Sequence, residues 1–108
     1  MPLIASTERK NQWQAILNMT ETMHLLVEQE EWQALVDAES ERQRLIQLFF
    51  SIPVSTDESE MVAEGIQAIL HSDSELMVKG SGLKKEAADV LMKIASSRKG
   101  ISAYQDCR

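Results

Sequence analysis

The sequence predicts an all-α fold: an antiparallel helical bundle of three main helices, the third long, with a short C-terminal helix or arm. Three observations carry this. Glycine and proline are scarce, four and two in 108 residues, while 44% of the chain is apolar and 26% charged, which leaves few of the breaks that turns between strands require. Apolar residues recur at steps of three and four in several stretches, the spacing of one helical face. One stripe runs through Val62, Ile66, Ile69, Asp73, Leu76, Gly80, Leu83, Ala87, Val90 and Ile94 in steps that alternate four and three, which is a heptad seam. The length suits one domain, residues 1–108, with a modest core.

The first helix is expected at about 7 to 28, with Ser6 or Thr7 capping its free amides and Glu8 in its first turn. Its stripe reads Trp13, Ile16, Leu17, Thr20, Met23 and Val27, widened by Leu26. Three carboxylates in Glu28-Gln29-Glu30-Glu31 mark a tight turn. The second helix, about 31 to 50, carries Trp32, Leu35, Val36, Ile46, Phe49 and Phe50 on one face, but that face also passes through Glu39 and Arg42. Burying either charge unpaired costs several kcal/mol. The preferred reading is a partly solvated pair on an imperfect stripe; the other is a buried polar layer joined by Asp73. Pro53 ends the helix, and Ser55 with Glu58 forms the capping box that starts the third at about 56 to 58.

The glycine pair Gly80 and Gly82 interrupts the long seam without shifting its phase. Two independent helices have no need to share a phase, so the preferred reading is one continuous helix from Asp57 to about Ser97, on the order of 60 Å long. The other reading is a helical hairpin. Arg98 and Lys99 suit a helix C-terminus and Gly100 its cap, and the seam spacing continues through Ile101 and Tyr104. If the helix is continuous, the first two helices cover only half of it. The distal residues Leu83, Ala87, Val90, Leu91 and Ile94 then need a lid: the folded-back tail, a second copy or a client protein. If the glycines turn the chain, four helices close into a bundle and that exposed stripe disappears.

Composition narrows the function classes. With 17 acidic against 11 basic residues and a net charge of −6, the chain lacks the basic surface that nucleic acid or anionic lipid recruits. The single cysteine, Cys107, suits a reduced cytosolic protein, and the sequence shows neither a leader pattern nor a span of ~20 apolar residues. Glu21 and His24 make one E-x-x-H, whereas di-iron bundles need two such motifs and further glutamates. Gly80-Ser81-Gly82-Leu83-Lys84 lacks the spacing of a phosphate loop. No enzyme, metal or cofactor is expected. Trp13 and Trp32 read as core, and Met23, Met61, Met77 and Met92, in or beside the stripes, as core filling or adaptable surface.

Three groups of residues resemble the FliT-type chaperones of flagellar type III export. They are Trp13-Gln14; Glu31-Trp32-x-x-Leu35-Val36 with Glu39; and Met61-Val62-Ala63 with Ile66 and Leu70. The distance from there to Ala103-Tyr104 is also similar, and the likeness covers about residues 9 to 104. It implies an all-helical cytosolic chaperone that binds the filament-cap protein and brings it to the export ATPase and the export gate. Some members also bind the flagellar master transcription regulator and reduce its activity. In the family the third helix is long and a C-terminal helix regulates access to the binding surface. The resemblance would place Val90, Leu91 and Ile94 in the client-binding region and matches Tyr104 to a tyrosine implicated at the export gate. Gly82 in mid-helix, and an end only four residues after Tyr104, depart from the family and weaken the expectation of autoinhibition by a C-terminal segment. Two rivals stand beside this reading: a homodimerisation module whose second copy fills the distal stripe, and a metal-dependent bundle enzyme.

Overall fold

A computed structural model describes residues 2–80, 89–96, 100 and 101 of the chain, with side chains from Thr7 onward. Three helices dominate: α1 (Pro2–Glu28), α2 (Trp32–Phe50) and α3 (Ser59–Gly80), with a single 3-10 turn at Thr56–Glu58 leading into α3. A fourth, C-terminal segment is helical at 89–96 and at 100–101. Helices α2 and α3 both pack on α1. Consecutive helices run antiparallel, so α1 and α3 lie side by side in the same direction, with Trp13 over Gly65 at one level and Glu28 paired with Lys79 at another.

The first helix starts earlier than its cap residues suggest. Ser6 and Thr7 lie inside α1, and Pro2 stands in its first turn, where a missing amide donor costs nothing. Its far end stops in the predicted turn. Glu31 N–H donates to the Leu26 carbonyl and Glu30 N–H to that of Val27, with Glu30 at φ 56°. That is the Schellman ending, in which a left-handed residue, usually glycine, lets the next amides reach back to the helix's orphan carbonyls.

The core falls into two clusters. One gathers Trp13 and Ile16 of α1, Ile46 and Phe49 of α2, Val62, Ile66 and Ile69 of α3, and Ile101. The other gathers Met23 and Val27, Leu35 and Ala38, Leu76, and Val90 and Ile94. The heptad seam is therefore right at each of its described residues, with Leu83 and Ala87 outside them; its continuity is not. A Cβ on Gly80 would lie 2.8 Å from Leu91 Cδ1, yet eleven residues of unbroken helix would hold the two about 16 Å apart. The chain has reversed between them, as in the hairpin reading, and Val90 and Ile94 close onto the same core as Leu76. Shared phase did not require one helix, because both arms of the hairpin face the same interior. The reversal takes Val90 and Ile94 out of water, where an unbroken helix would leave them exposed. Gly100, expected as a cap, is itself helical.

One corner of the bundle is held by a residue that periodicity does not single out. Arg9, on α1, donates from Nη1 to the Phe49 carbonyl at 2.6 Å and from Nε to Glu58 Oε2 at 2.9 Å, while its guanidinium lies 3.7 Å from the centre of the Phe49 ring. It thereby satisfies a carbonyl at the end of α2 and fixes the capping box, in which Glu58 Oε1 accepts from Ser55 N–H. The Arg9 hydrogen bond, against the opposing effect of burial, holds the Glu58 carboxyl below the usual carboxylate range.

Packing at the α1–α3 contact depends on a missing side chain. The Trp13 indole lies so close over Gly65 that a Cβ there would sit 2.6 Å from Cε2. A tryptophan ring packed against Phe49, with centroids 4.9 Å apart, has little room to retreat. Gly65→Ala is accordingly expected to destabilise the fold by about 1–3 kcal/mol, despite alanine's better helix propensity, in urea unfolding followed by circular dichroism.

Candidate functional site

Between the two apolar clusters lies a polar layer. Arg42 of α2 is fully buried, and its two terminal nitrogens meet the two carboxylate oxygens of Asp73 on α3 at 2.9 Å each. Nη1 also reaches Thr20 Oγ1 of α1 at 3.2 Å, and Nη2 reaches Glu39 Oε2 at 3.1 Å. Thr20 in turn donates to the carbonyl of Ile16, one turn back along α1. Arg42 Nε–H has no partner within the described structure. This is the buried-layer reading of Glu39, Arg42 and Asp73; the preferred alternative, a partly solvated pair, is overturned, because all three side chains lie inside the bundle.

The geometry explains why arginine occupies the position. Helices α2 and α3 each pack on α1, and only a long side chain bridges from one to the other across the interior. A planar guanidinium meets a carboxylate through two parallel bonds. Burial disfavours the charged form, but the hydrogen bonds and charge of Asp73, followed by Glu39, outweigh it and raise the affinity of Arg42 for its proton above the ordinary value.

Along α1 the layer falls at Thr20, between Ile16 and Met23; along α3 at Asp73, between Ile69 and Leu76. On the C-terminal segment it falls between Ile94, in one cluster, and Ile101, in the other. Beside the layer a groove of about 550 Å³ runs between α2 and this segment, lined by Glu39, Ser40 and Gln43 on one side and Lys93 and Ser96 on the other. The C-terminal segment thus lies over an apolar surface that α1, α2 and α3 build together.

Of the five residues assigned to client binding, Val90 and Ile94 are buried in that surface's core cluster, and Leu91 is half-buried against Gly80. They share one segment and are covered by the chain itself, not left as an open stripe. Leu83, Ala87 and Tyr104, the residue expected at the export gate, lie outside the described residues. On the outer face Met92 is 71% exposed and, on α3, Val78 is 74% exposed.

His24 of the E-x-x-H pair is partly buried, and its Nε2 lies 2.7 Å from the Ser72 carbonyl, so that ring nitrogen carries the donated proton. Among the described residues no three His, Cys, Asp or Glu side chains gather as a metal site. No helix there is long and apolar enough to cross a membrane.

Sequence reasoning singled out Glu39, Arg42 and Asp73 as polar residues on apolar stripes, and counted Thr20 as an ordinary member of its stripe. It held the fold-back as the second reading and preferred the continuous helix, although the two glycines around Ser81 were the visible signal for a turn. It missed Arg9, whose partners Phe49 and Glu58 lie 40 and 49 residues away.

The fold defines a small all-α helical bundle whose C-terminal segment packs on the three main helices. The chain is a member of the FliT family: it matches the family described as Flagellar protein FliT over residues 10–106. That family is one of flagellar export chaperones. Comparison with curated proteins and with solved structures returns no match.

The layer makes a quantitative demand on the fold. Arg42→Ala leaves Asp73 buried without its counter-charge and is expected to cost about 3–5 kcal/mol. Arg42→Met combined with Glu39→Gln and Asp73→Leu removes charge from all three positions and should cost far less. Urea unfolding of the two variants measures the difference.

Proposed function

We propose that this protein is a cytoplasmic chaperone that holds the flagellar filament-cap protein before export and hands it to the export ATPase and the export gate. Family membership supports the general role. The observation that carries the finer reading is the seating of Val90 and Ile94, with Ile101, over the apolar surface of α1, α2 and α3. An amphipathic helix already occupies that surface, so a client helix of similar shape has a complementary seat. Client binding through Leu83, Ala87, Val90, Leu91 and Ile94 then requires the C-terminal segment to lift, which exposes its inner face and the surface beneath together.

Delivery demands reversibility. A chaperone that must release its cargo at a gate needs affinity set by a balance of competing surfaces, not by one very stable complex. A segment that competes with the client for one surface sets such a balance. Tyr104, beyond the segment, is assigned to the gate, and restraint of the flagellar master regulator is a second use of the same seat.

Sedimentation across a wide concentration range, alone and with a C-terminal fragment of a filament-cap protein, tests this reading. A one-to-one complex is expected. A stable homodimer that ignores the fragment would favour the dimerisation module instead. Leu91→Asp should weaken binding of the fragment in calorimetry by at least tenfold with helicity unchanged, and unaltered affinity would remove Leu91 from the site. Tyr104→Ala should lower binding to the export gate and leave the cap fragment's affinity unaltered; equal loss at both would end that division of labour.

A further inference from the structure

The groove between α2 and the C-terminal segment has two polar walls. On α2 the wall is Ser40, Gln43, Arg44 and Gln47, at i, i+3, i+4 and i+7, which is one helical face. On the segment it is Lys93, Ser96 and Gly100, at i, i+3 and i+7. Neither face carries an apolar side chain. Among the described residues the side chains of Ser40, Gln43, Gln47, Lys93 and Ser96 make no hydrogen bond or ion pair, although other exposed polar residues of α2 pair with one another, Gln33 with Asp37 and Arg44 with Glu41. The groove therefore offers free donors and acceptors. Two cations, Arg44 and Lys93, face it from opposite walls. Of the neighbouring carboxylates, Glu39 is 5% exposed and accepts from Arg42, and Glu41 takes the Nε and Nη2 edge of Arg44, which leaves Nη1.

We propose that this groove is a second binding surface, which takes an extended acidic segment of a partner protein with one carboxylate toward Arg44 and the next toward Lys93. Shape argues for an extended chain. A stretch of helix as long as these walls, about 10 Å long and 10 Å across, would fill roughly 800 Å³, more than the 550 Å³ of the groove. A strand sends successive side chains to opposite sides, which suits two walls that face each other, and its amides and carbonyls find the hydroxyls of Ser40 and Ser96 and the amides of Gln43 and Gln47. At one end Gly100 leaves open space where a side chain would stand. Charge argues for acid. The chain as a whole carries −6 and repels an anionic ligand, so only a local pair of cations holds one, and the selectivity belongs to the groove. Because one wall is the C-terminal segment itself, the site is complete only while that segment is seated. An acidic partner and a client that needs the segment lifted then weaken each other by the same factor. That coupling rests on the client reading argued above; the binding of the acidic segment does not.

The test uses the full-length chain and two labelled peptides, Gly-Ser-Glu-Glu-Ser-Gly and Gly-Ser-Gln-Gln-Ser-Gly, with binding read by fluorescence anisotropy at low salt. The Glu-Glu peptide is expected to bind about fivefold or more tightly than the Gln-Gln peptide. Arg44→Gln and Lys93→Gln should each cut that preference to about twofold or less, whereas Lys10→Gln, which removes the same charge from an exposed position on α1, should leave it unaltered. Absence of binding, equal binding of the two peptides, or a preference that survives both groove variants or falls as far with Lys10→Gln overturns the inference. Saturating filament-cap fragment is then expected to weaken the Glu-Glu peptide about fivefold or more. A fragment that binds without displacing the peptide overturns the two-walled site. A fragment that does not bind at all overturns the client reading, and the peptide ratios still decide the groove.

Discussion

The structure turns on a guanidinium with no access to water. Arg42 is wholly enclosed, and a buried positive charge is tolerable only where opposite charge and hydrogen bonds replace its hydration. Asp73 supplies both through two equal bonds, Glu39 adds a second carboxylate, and Thr20 a hydroxyl. Because these groups come from three helices, the pairing can be satisfied only in one relative register of α1, α2 and α3. Apolar side chains alone are less demanding, since a stripe of leucines and isoleucines that slides by one turn meets others much like them. The belt converts a generally sticky interior into a particular one, at the expense of some stability that well-packed hydrocarbon would have supplied.

That belt also organises what lies on either side of it. The cluster around Trp13 and Phe49 is aromatic and tightly fitted, with Gly65 cut away to admit the indole. The cluster around Met23 and Leu35 is aliphatic, and half-buried Met19 and Met77 pack against it. Methionine's unbranched, polarisable chain fills irregular space and accepts changes of neighbour. The C-terminal segment crosses both regions, with Val90 and Ile94 in the adaptable one and Ile101 in the fitted one. A chaperone that exchanges its own helix for another's has reason to keep part of the seat adaptable.

Much of this was legible in the residues. The three main helices, the turn at Glu28–Glu31, the capping box at Ser55 and Glu58, and the buried members of the seam all follow from spacing and local chemistry. The polar residues Glu39, Arg42 and Asp73 were visible as exceptions on their stripes, and their meeting in one buried layer stood as the second reading; it could not be preferred, because spacing along one helix says nothing about which residues of two helices share a level, and Thr20 passed as an ordinary stripe member. The fold-back was hidden for a related reason. A hairpin whose two arms face one core can keep the heptad phase across its turn, so the uninterrupted count from Val62 to Ile94 suited both shapes, and the cost of leaving Val90 and Ile94 in water was the better guide. Of the residues expected to bind a client, Val90, Leu91 and Ile94 lie under cover of the bundle and not on the open stripe that a continuous helix implied. Arg9 was illegible because its role consists wholly of contacts made far along the chain.

Arg9 also has a meaning in polymer terms. One side chain joins α1 to the end of α2 and to the start of α3, closing loops of 40 and 49 residues. It acts as a non-covalent cross-link, and closing long loops restricts most strongly those partly unfolded states in which the joined stretches would otherwise drift apart. The corner where α1, α2 and the 3-10 turn meet is thereby coupled, so that these pieces loosen together or not at all. The C-terminal segment holds its place through Val90, Ile94 and Ile101, whose apolar contacts can be given up one at a time. The coupled corner thus belongs to the three main helices and the turn between them, and the segment that must lift in the proposed cargo exchange is not tied in by it.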